Sequence, residues 1–181
     1  MSGVQEFQRS DDVAGQAQTG TGKTAAFTLP MITLLGRGRA RARMPRSLVL
    51  APTRELAAQV AENFDTYAKH TKLTRALLIG GTSFKDQDKI IDKGVDVLIG
   101  TPGRIIDYFK QHVFDLRKAQ VVVLDEADRM FDLGFIKDVR FLLRRCPPPQ
   151  QRLGLLFSAT MSLRVNELAY EHMNSSQRVQ V

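Results

Sequence analysis

The sequence has one cysteine, Cys146, and three histidines, His70, His112 and His172, scattered through 181 residues. A single thiol excludes an internal disulfide, and no cysteine–histidine spacing of a zinc site is present. No apolar run approaches the ~20 residues that a membrane-spanning helix needs. Met1 to Asp12 is polar and carries no apolar signal-peptide core. The chain shows no internal repeat and no long linker. These absences suit a cytoplasmic protein, and the length suits one domain with a core of ordinary size.

The chain is basic. Lys and Arg number 26 against 19 Asp and Glu, which gives a net charge of +7. A domain of this charge attracts polyanions at long range, although a solvated basic surface would read the same way. One segment is low in complexity: residues 36–46 hold five arginines (Arg37, Arg39, Arg41, Arg43 and Arg46) and no acid. It reads as a mobile surface connector between the first helix and the second strand. The competing reading is an electrostatic contact for RNA or a protein partner. Pro147, Pro148 and Pro149 form a rigid turn that ends a helix, with no function assigned.

Short apolar runs alternate with longer helical stretches, the pattern of a parallel α/β sheet. The runs predict strands at residues 13–17, 47–51, 75–79, 95–99, 120–124, 153–157 and 178–181. Between them the pattern predicts helices at residues 23–35, 54–70, 84–93, 102–110, 136–144 and 163–173. Parallel strands joined by crossover helices place every loop that leaves a strand on one edge of the sheet. In open α/β sheets that edge is where ligands bind.

Two segments at that edge carry chemistry. Val121, Val122, Val123 and Leu124 run directly into Asp125, Glu126, Ala127 and Asp128. A helix cap explains one carboxylate at such a junction, but not three in four positions. Far upstream stands Ala17-Gln18-Thr19-Gly20-Thr21-Gly22-Lys23-Thr24. Gly20 and Gly22 permit a tight turn whose N–H groups point inward, and the following helix adds its positive end. Lys23 suits the β- and γ-phosphates of a nucleoside triphosphate, and the Thr24 hydroxyl suits Mg²⁺. Asp125 is placed to hold Mg²⁺, partly through water, and Glu126 to orient or deprotonate an attacking water. Lys23, Asp125 and Glu126 are therefore the candidate catalytic residues.

On these residues the chain resembles the first RecA-like domain of the DEAD-box ATP-dependent RNA helicases. Residues 17–24 match that family's Walker A motif, including alanine at its first position. Pro52, Thr53 and Arg54 open motif Ia, Gly80 and Gly81 match the glycine doublet, and Thr101, Pro102, Gly103 and Arg104 match motif Ib. Asp125 to Asp128 matches motif II, and Ser158, Ala159 and Thr160 match motif III. Residues 94–108 and 121–145 look most like the bacterial degradosome-associated type. The resemblance implies a RecA-like P-loop domain, mostly parallel sheet with helices on both faces, over residues 12–181. It also implies ATP and Mg²⁺, RNA as substrate, a second RecA-like domain that completes the ATP site, and an RNA-decay complex as partner. Residues 1–11 do not resemble the glutamine motif that the family carries upstream.

The same resemblance assigns motif Ia, the glycine doublet and motif Ib to the backbone of a single RNA strand. The chemistry agrees. Thr53 and Thr101 are hydroxyl donors at helix starts, Arg54 and Arg104 suit phosphate forks, and Gly80 and Gly81 allow close approach. Taken alone, Arg54 would instead be expected to pair with Glu55 or another surface acid. The strand at 153–157 is expected between those carrying Walker A and motif II. Ser158 and Thr160 could then bond Asp128 and couple nucleotide to RNA. Two rival readings remain: a nucleotide- and RNA-binding module without turnover, and a DNA helicase or other P-loop ATPase.

Overall fold

The computed structural model describes residues 12–16, 23–174 and 177–180. Among the described residues seven strands form one sheet: β1 (Val13–Gln16), β2 (Ser47–Leu50), β3 (Arg75–Leu78), β4 (Val97–Gly100), β5 (Val121–Leu124), β6 (Leu153–Ser158) and β7 (Gln177–Gln180). Their order is β3-β4-β2-β5-β6-β1-β7, and every pairing is parallel. The strand after the carboxylate-bearing β5 in sequence, β6, does lie between β5 and β1. Helices α1 (Lys23–Leu35), α2 (Arg54–Tyr67), α3 (Phe84–Asp92), α4 (Pro102–Lys110), α5 (Ala127–Asp132), α6 (Ile136–Leu143) and α7 (Leu163–His172) cover both faces.

The strand sequences show why. On β2 and β5, Leu48, Val122 and Leu124 point into one core, while Val49, Val121 and Val123 point into the other. Both faces are buried, so these strands read as unbroken apolar runs rather than alternating ones. One core is closed by α1 and α2 through Phe27, Met31, Val60 and Phe64. The opposite core is closed by α3 to α7, with Ile91, Ile105, Met130, Leu142 and Leu168 at its centre.

Most elements shift by one residue at an end, and two boundaries and one added helix depart further from expectation. Strand β4 begins at Val97 rather than Val95: Val95 is buried for packing, and pairing starts where the Asp96 and Val97 N–H groups meet Thr74 O. Helix α2 stops at Tyr67, where Ala68 N–H caps Phe64 O. The helix α5 follows β5 directly and was not anticipated as a separate element.

The arginine segment also differs. It lies at the edge where strands begin, opposite to the edge that carries the motifs, and it is docked rather than loose. Arg46 is buried, with Nη1 3.1 Å from Asp96 Oδ1 and 3.0 Å from Leu35 O, and Nη2 donates to Arg37 O at 2.6 Å. Arg43 adopts a left-handed backbone (φ 59°) and pairs with Asp92 at 2.8 Å. Two of the five arginines thus hold the loop itself. Glycine is required where this loop meets the next: Gly94 has φ +96°, and a Cβ there would stand 2.8 Å from Ala40 O.

Breaking a buried ion pair from one side leaves an uncompensated charge and costs about 3–5 kcal/mol. Arg46→Leu should approach that loss in urea unfolding, whereas Arg39→Leu, on the exposed part of the loop, should change stability by under about 0.5 kcal/mol. Equal effects of the two would contradict the docked loop.

Candidate active site

The Walker A residues Ala17, Gln18, Thr19, Gly20, Thr21 and Gly22 lie outside the described residues. The description resumes at Lys23, the first residue of α1, with Thr24 in the same turn. Lys23 is buried, and its Nζ stands 2.8 Å from Asp125 Oδ1 and 3.7 Å from Glu126 Oε1. The start of α1 and the tip of β5 therefore meet across β6, which the sheet order places between β1 and β5.

Asp125 is fully buried; Lys23 Nζ and the Glu126 backbone N–H lie close to its carboxylate, but neither oxygen has a well-aligned hydrogen bond among the described residues. Burial pushes its carboxyl above the ordinary value, and the Lys23 ammonium opposes that rise. A buried carboxylate oxygen without a well-aligned hydrogen bond is costly unless something completes it. A hydrated divalent cation would do so, and the hydroxyl of Thr24 in the first turn of α1 is of the right donor type. The residues present therefore fit Mg²⁺.

Glu126 is held in a left-handed conformation, φ 52° and ψ 56°, between β5 and α5. That conformation costs a non-glycine residue about 1–2 kcal/mol. Its carboxylate is buried and contacts Arg129 Nη1 at 3.4 Å as well as Lys23. The left-handed step turns the chain from strand to helix at once and starts α5 at Ala127. Nothing in the residue type Glu forecasts it.

Asp128 faces the tip of β6. Its N–H donates to Ser158 Oγ at 3.2 Å, and Ser158 Oγ donates to Thr160 O at 2.7 Å. Thr160 Oγ1 donates to Asp128 Oδ2 at 3.2 Å. Ser158 thus reaches the backbone of Asp128 and Thr160 its carboxylate, which ties the segment after β6 to the one after β5.

A second group of residues lies along the tips of β2, β3 and β4. Thr53 caps α2 by accepting from Leu56 N at 3.2 Å. Arg54 is exposed and makes no ion pair among the described residues, so the expected alternative, pairing with a surface acid, is not seen. Its guanidinium lies against Gly81, where φ is +86° and a Cβ would stand 3.1 Å from Nη2. Motif Ia and the glycine doublet are brought together in this way, and Gly80 beside them faces open space. Thr101 is the N-cap residue of α4 with its hydroxyl unused in capping, and Pro102 occupies the first turn. A Cβ on Gly103 would meet nothing within 4 Å. The Arg104 guanidinium lies 5.2 Å from the centre of the Tyr108 ring, which stacks on Phe84 at 4.4 Å. Tyr108 and Phe84 were not anticipated. The i, i+4 spacing of Arg104 and Tyr108 on α4 was the available signal.

The profile of the DEAD/DEAH box helicases matches residues 2–168. The chain belongs to that family. It is 55% identical to the ATP-dependent RNA helicase RhlB of Shewanella sediminis over 175 residues, covering 94% of this chain and 40% of the relative. To the protein of the same name from Aeromonas salmonicida it is 58% identical over 174 residues, covering 94% of this chain and 41% of the relative. Among solved structures it resembles a DEAD box protein from the hyperthermophile Methanococcus jannaschii, with TM-score 0.84, 35% identity, and coverage of 97% of this chain and 46% of that one. It also resembles the yeast DEAD-box splicing factor Prp28, with TM-score 0.85, 31% identity, and coverage of 94% of this chain and 41% of that one. The chain spans about two fifths of the length of the curated relatives it matches.

Ser158 is buried and bridges two backbone groups, whereas Thr160 is exposed. Ser158→Ala should therefore cost about 1–3 kcal/mol by leaving both groups unpaired, and Thr160→Val under about 1 kcal/mol. Chemical denaturation of the two variants checks this. A larger loss for Thr160→Val would contradict the bridge.

Proposed function

We propose that this chain is the ATP-binding half of an ATP-dependent RNA helicase, which couples ATP binding and hydrolysis to local separation of RNA strands. The observation that carries this reading is the meeting of Lys23, Asp125 and Glu126 at the edge where strands end, in a chain of the DEAD/DEAH box family. The names of the curated relatives support RNA as the substrate.

In this reading residues 17–24 hold the phosphates of ATP through backbone N–H groups, the end of α1 and Lys23. Asp125 and Thr24 would hold Mg²⁺, partly through water, and the ion would supply charge neutralisation on the β- and γ-phosphate oxygens. Glu126 orients the attacking water and accepts its proton. Its fixed left-handed backbone aims the carboxylate without a search over backbone conformations. The open side of this site is where a second RecA-like domain would add transition-state charge, worth about 10³–10⁵ in rate for an arginine finger. The chain without it should turn over ATP poorly.

Pro52, Thr53, Arg54, Gly80, Gly81, Thr101, Pro102, Gly103 and Arg104 would grip the sugar-phosphate backbone of one strand. Contacts of this kind carry no base information, so binding should be largely sequence-blind. The stack of Phe84 on Tyr108 supports the Arg104 guanidinium from behind. Asp128, Ser158 and Thr160 would transmit nucleotide state to the RNA side, since their hydrogen bonds join the tips of β5 and β6. The resemblance to the degradosome-associated type extends the reading to an RNA-decay complex in the cytoplasm. No helix among the described residues is long and apolar enough to cross a membrane.

The test uses the chain together with its second domain. Glu126→Gln should lower RNA-stimulated hydrolysis by at least about 10²-fold, the contribution of a general base, while ATP-dependent RNA binding persists. Lys23→Ala should weaken ATP binding itself. Wild-type turnover by Glu126→Gln would contradict the assignment. So would stimulation by DNA equal to that by RNA.

A further inference from the structure

All the residues assigned above lie where strands end. The opposite edge, where strands begin, has a charge pattern that this reading does not use. Five adjacent strands, β3, β4, β2, β5 and β6, enter the sheet there side by side. Each entrance carries an exposed cation with no ion pair among the described residues: Lys72 before β3, Lys93 before β4, Arg39 and Arg41 before β2, Lys118 before β5, and Arg145 before β6.

The acids of these entrances are already engaged. Asp96 is bound by Arg46 and Asp115 by Arg117, and Asp92 at the end of α3 is bound by Arg43. At the edge where strands end, Lys23 faces Asp125, Arg129 faces Glu126 and Arg164 faces Asp132, while Arg54 and Arg104 make no ion pair among the described residues. The unpaired cations of the entrances thus form a positive surface separate from the one at the motif edge.

The entrances form one ledge, joined by backbone hydrogen bonds. Asp96 N donates to Thr74 O at 3.1 Å, Arg46 N to Asp96 O at 3.0 Å, Gln120 N to Arg46 O at 2.7 Å, and Leu153 N to Gln120 O at 2.8 Å. The Arg145 guanidinium carbon lies 3.6 Å from the centre of the Phe141 ring, and Nη1 donates to Phe141 O at 3.1 Å, which limits the freedom of the side chain. At a strand spacing of ~4.8 Å five strands span ~19 Å. For scale, one strand of a DNA duplex, at ~3.4 Å per phosphate along its axis, places between about five and six phosphates along that length.

We propose that this ledge is a second binding surface for the phosphate backbone of RNA, remote from the motif edge. Its ligand class is a duplex or structured RNA segment, read by charge and not by base. The inference rests on the RNA helicase reading and adds a site to it. An acidic protein segment is the poorer fit because protein interfaces have an apolar centre. The exposed large apolar residues near the ledge include Tyr67 on α2, Ile90 on α3 and Tyr170 on α7; they stand on three separate helices, and α2 and α3 cover opposite faces of the sheet. A helicase with such a surface would hold the folded part of its substrate while the motif edge grips the strand.

The test is a salt titration of hairpin RNA binding by the 181-residue chain. A ledge variant carries Arg39→Gln, Arg41→Gln, Lys118→Gln and Arg145→Gln. A motif-edge variant carries Arg54→Gln and Arg104→Gln. Each neutralised duplex phosphate adds about −0.9 to the slope of log affinity against log salt, so the ledge variant should flatten that slope by about 2 to 3.5. Replacing the three arginines by lysine, which keeps the charge, should leave it near wild type. A ledge variant whose slope stays within about 0.5 of wild type overturns the proposal. So does an equal loss in the charge-retaining variant, which would mark damage to the fold. If the motif-edge variant alone leaves the slope unchanged, the assigned RNA path fails while the ledge stands.

Discussion

Every strand of the sheet runs in the same direction, and most of the molecule's organisation follows from that. A parallel strand cannot return by a tight turn, so each connection crosses a face as a helix and buries that face. The helices use up the faces, and only the two edges remain for chemistry. At one edge every loop leaves a strand and enters a helix, so N–H groups and capping residues converge there. At the other edge every loop enters a strand, and the residues found there hold the framework.

The ion pairs obey this division. Lys23 with Asp125 joins the start of α1 to the tip of β5 in a group suited to chemistry on phosphates. Arg46 with Asp96 joins the entrances of β2 and β4 and holds a loop. Both are buried and similar in length, yet they differ in completeness. Arg46 also donates to two carbonyls, and Asp96 accepts from Thr74. Neither oxygen of Asp125 has a well-aligned hydrogen bond among the described residues. A pair that is fully bonded reads as structure, and one with an open oxygen reads as a site.

The sheet and its cores were legible because four-residue apolar runs flanked by helical periodicity have few other readings. The motif residues were legible because they sit where strand patterns stop. Other features were not. Helix α5 has six residues, too few for a period to declare itself. The left-handed backbone of Glu126 is set by the turn from β5 into α5, and no property of glutamate signals it. Arg46 is chemically the same as Arg39, and only the fold decides that one is buried against Asp96 and the other exposed. The loop of residues 36–46 therefore looked like a loose basic connector, when part of its charge is internal. The Arg104–Tyr108–Phe84 stack needs α3 and α4 side by side, which sequence spacing alone does not state.

The central claim is that nucleotide engages the edge where strands end, through α1 and the segment after β5. Amide hydrogen exchange of the chain with and without a magnesium complex of a non-hydrolysable ATP analogue tests it most directly. The account predicts slowed exchange at residues 23–27 and 125–128, with residues 93–96 and 115–120 at the opposite edge unchanged. Slowed exchange confined to the opposite edge, or no change at residues 125–128 at saturating analogue, would contradict it.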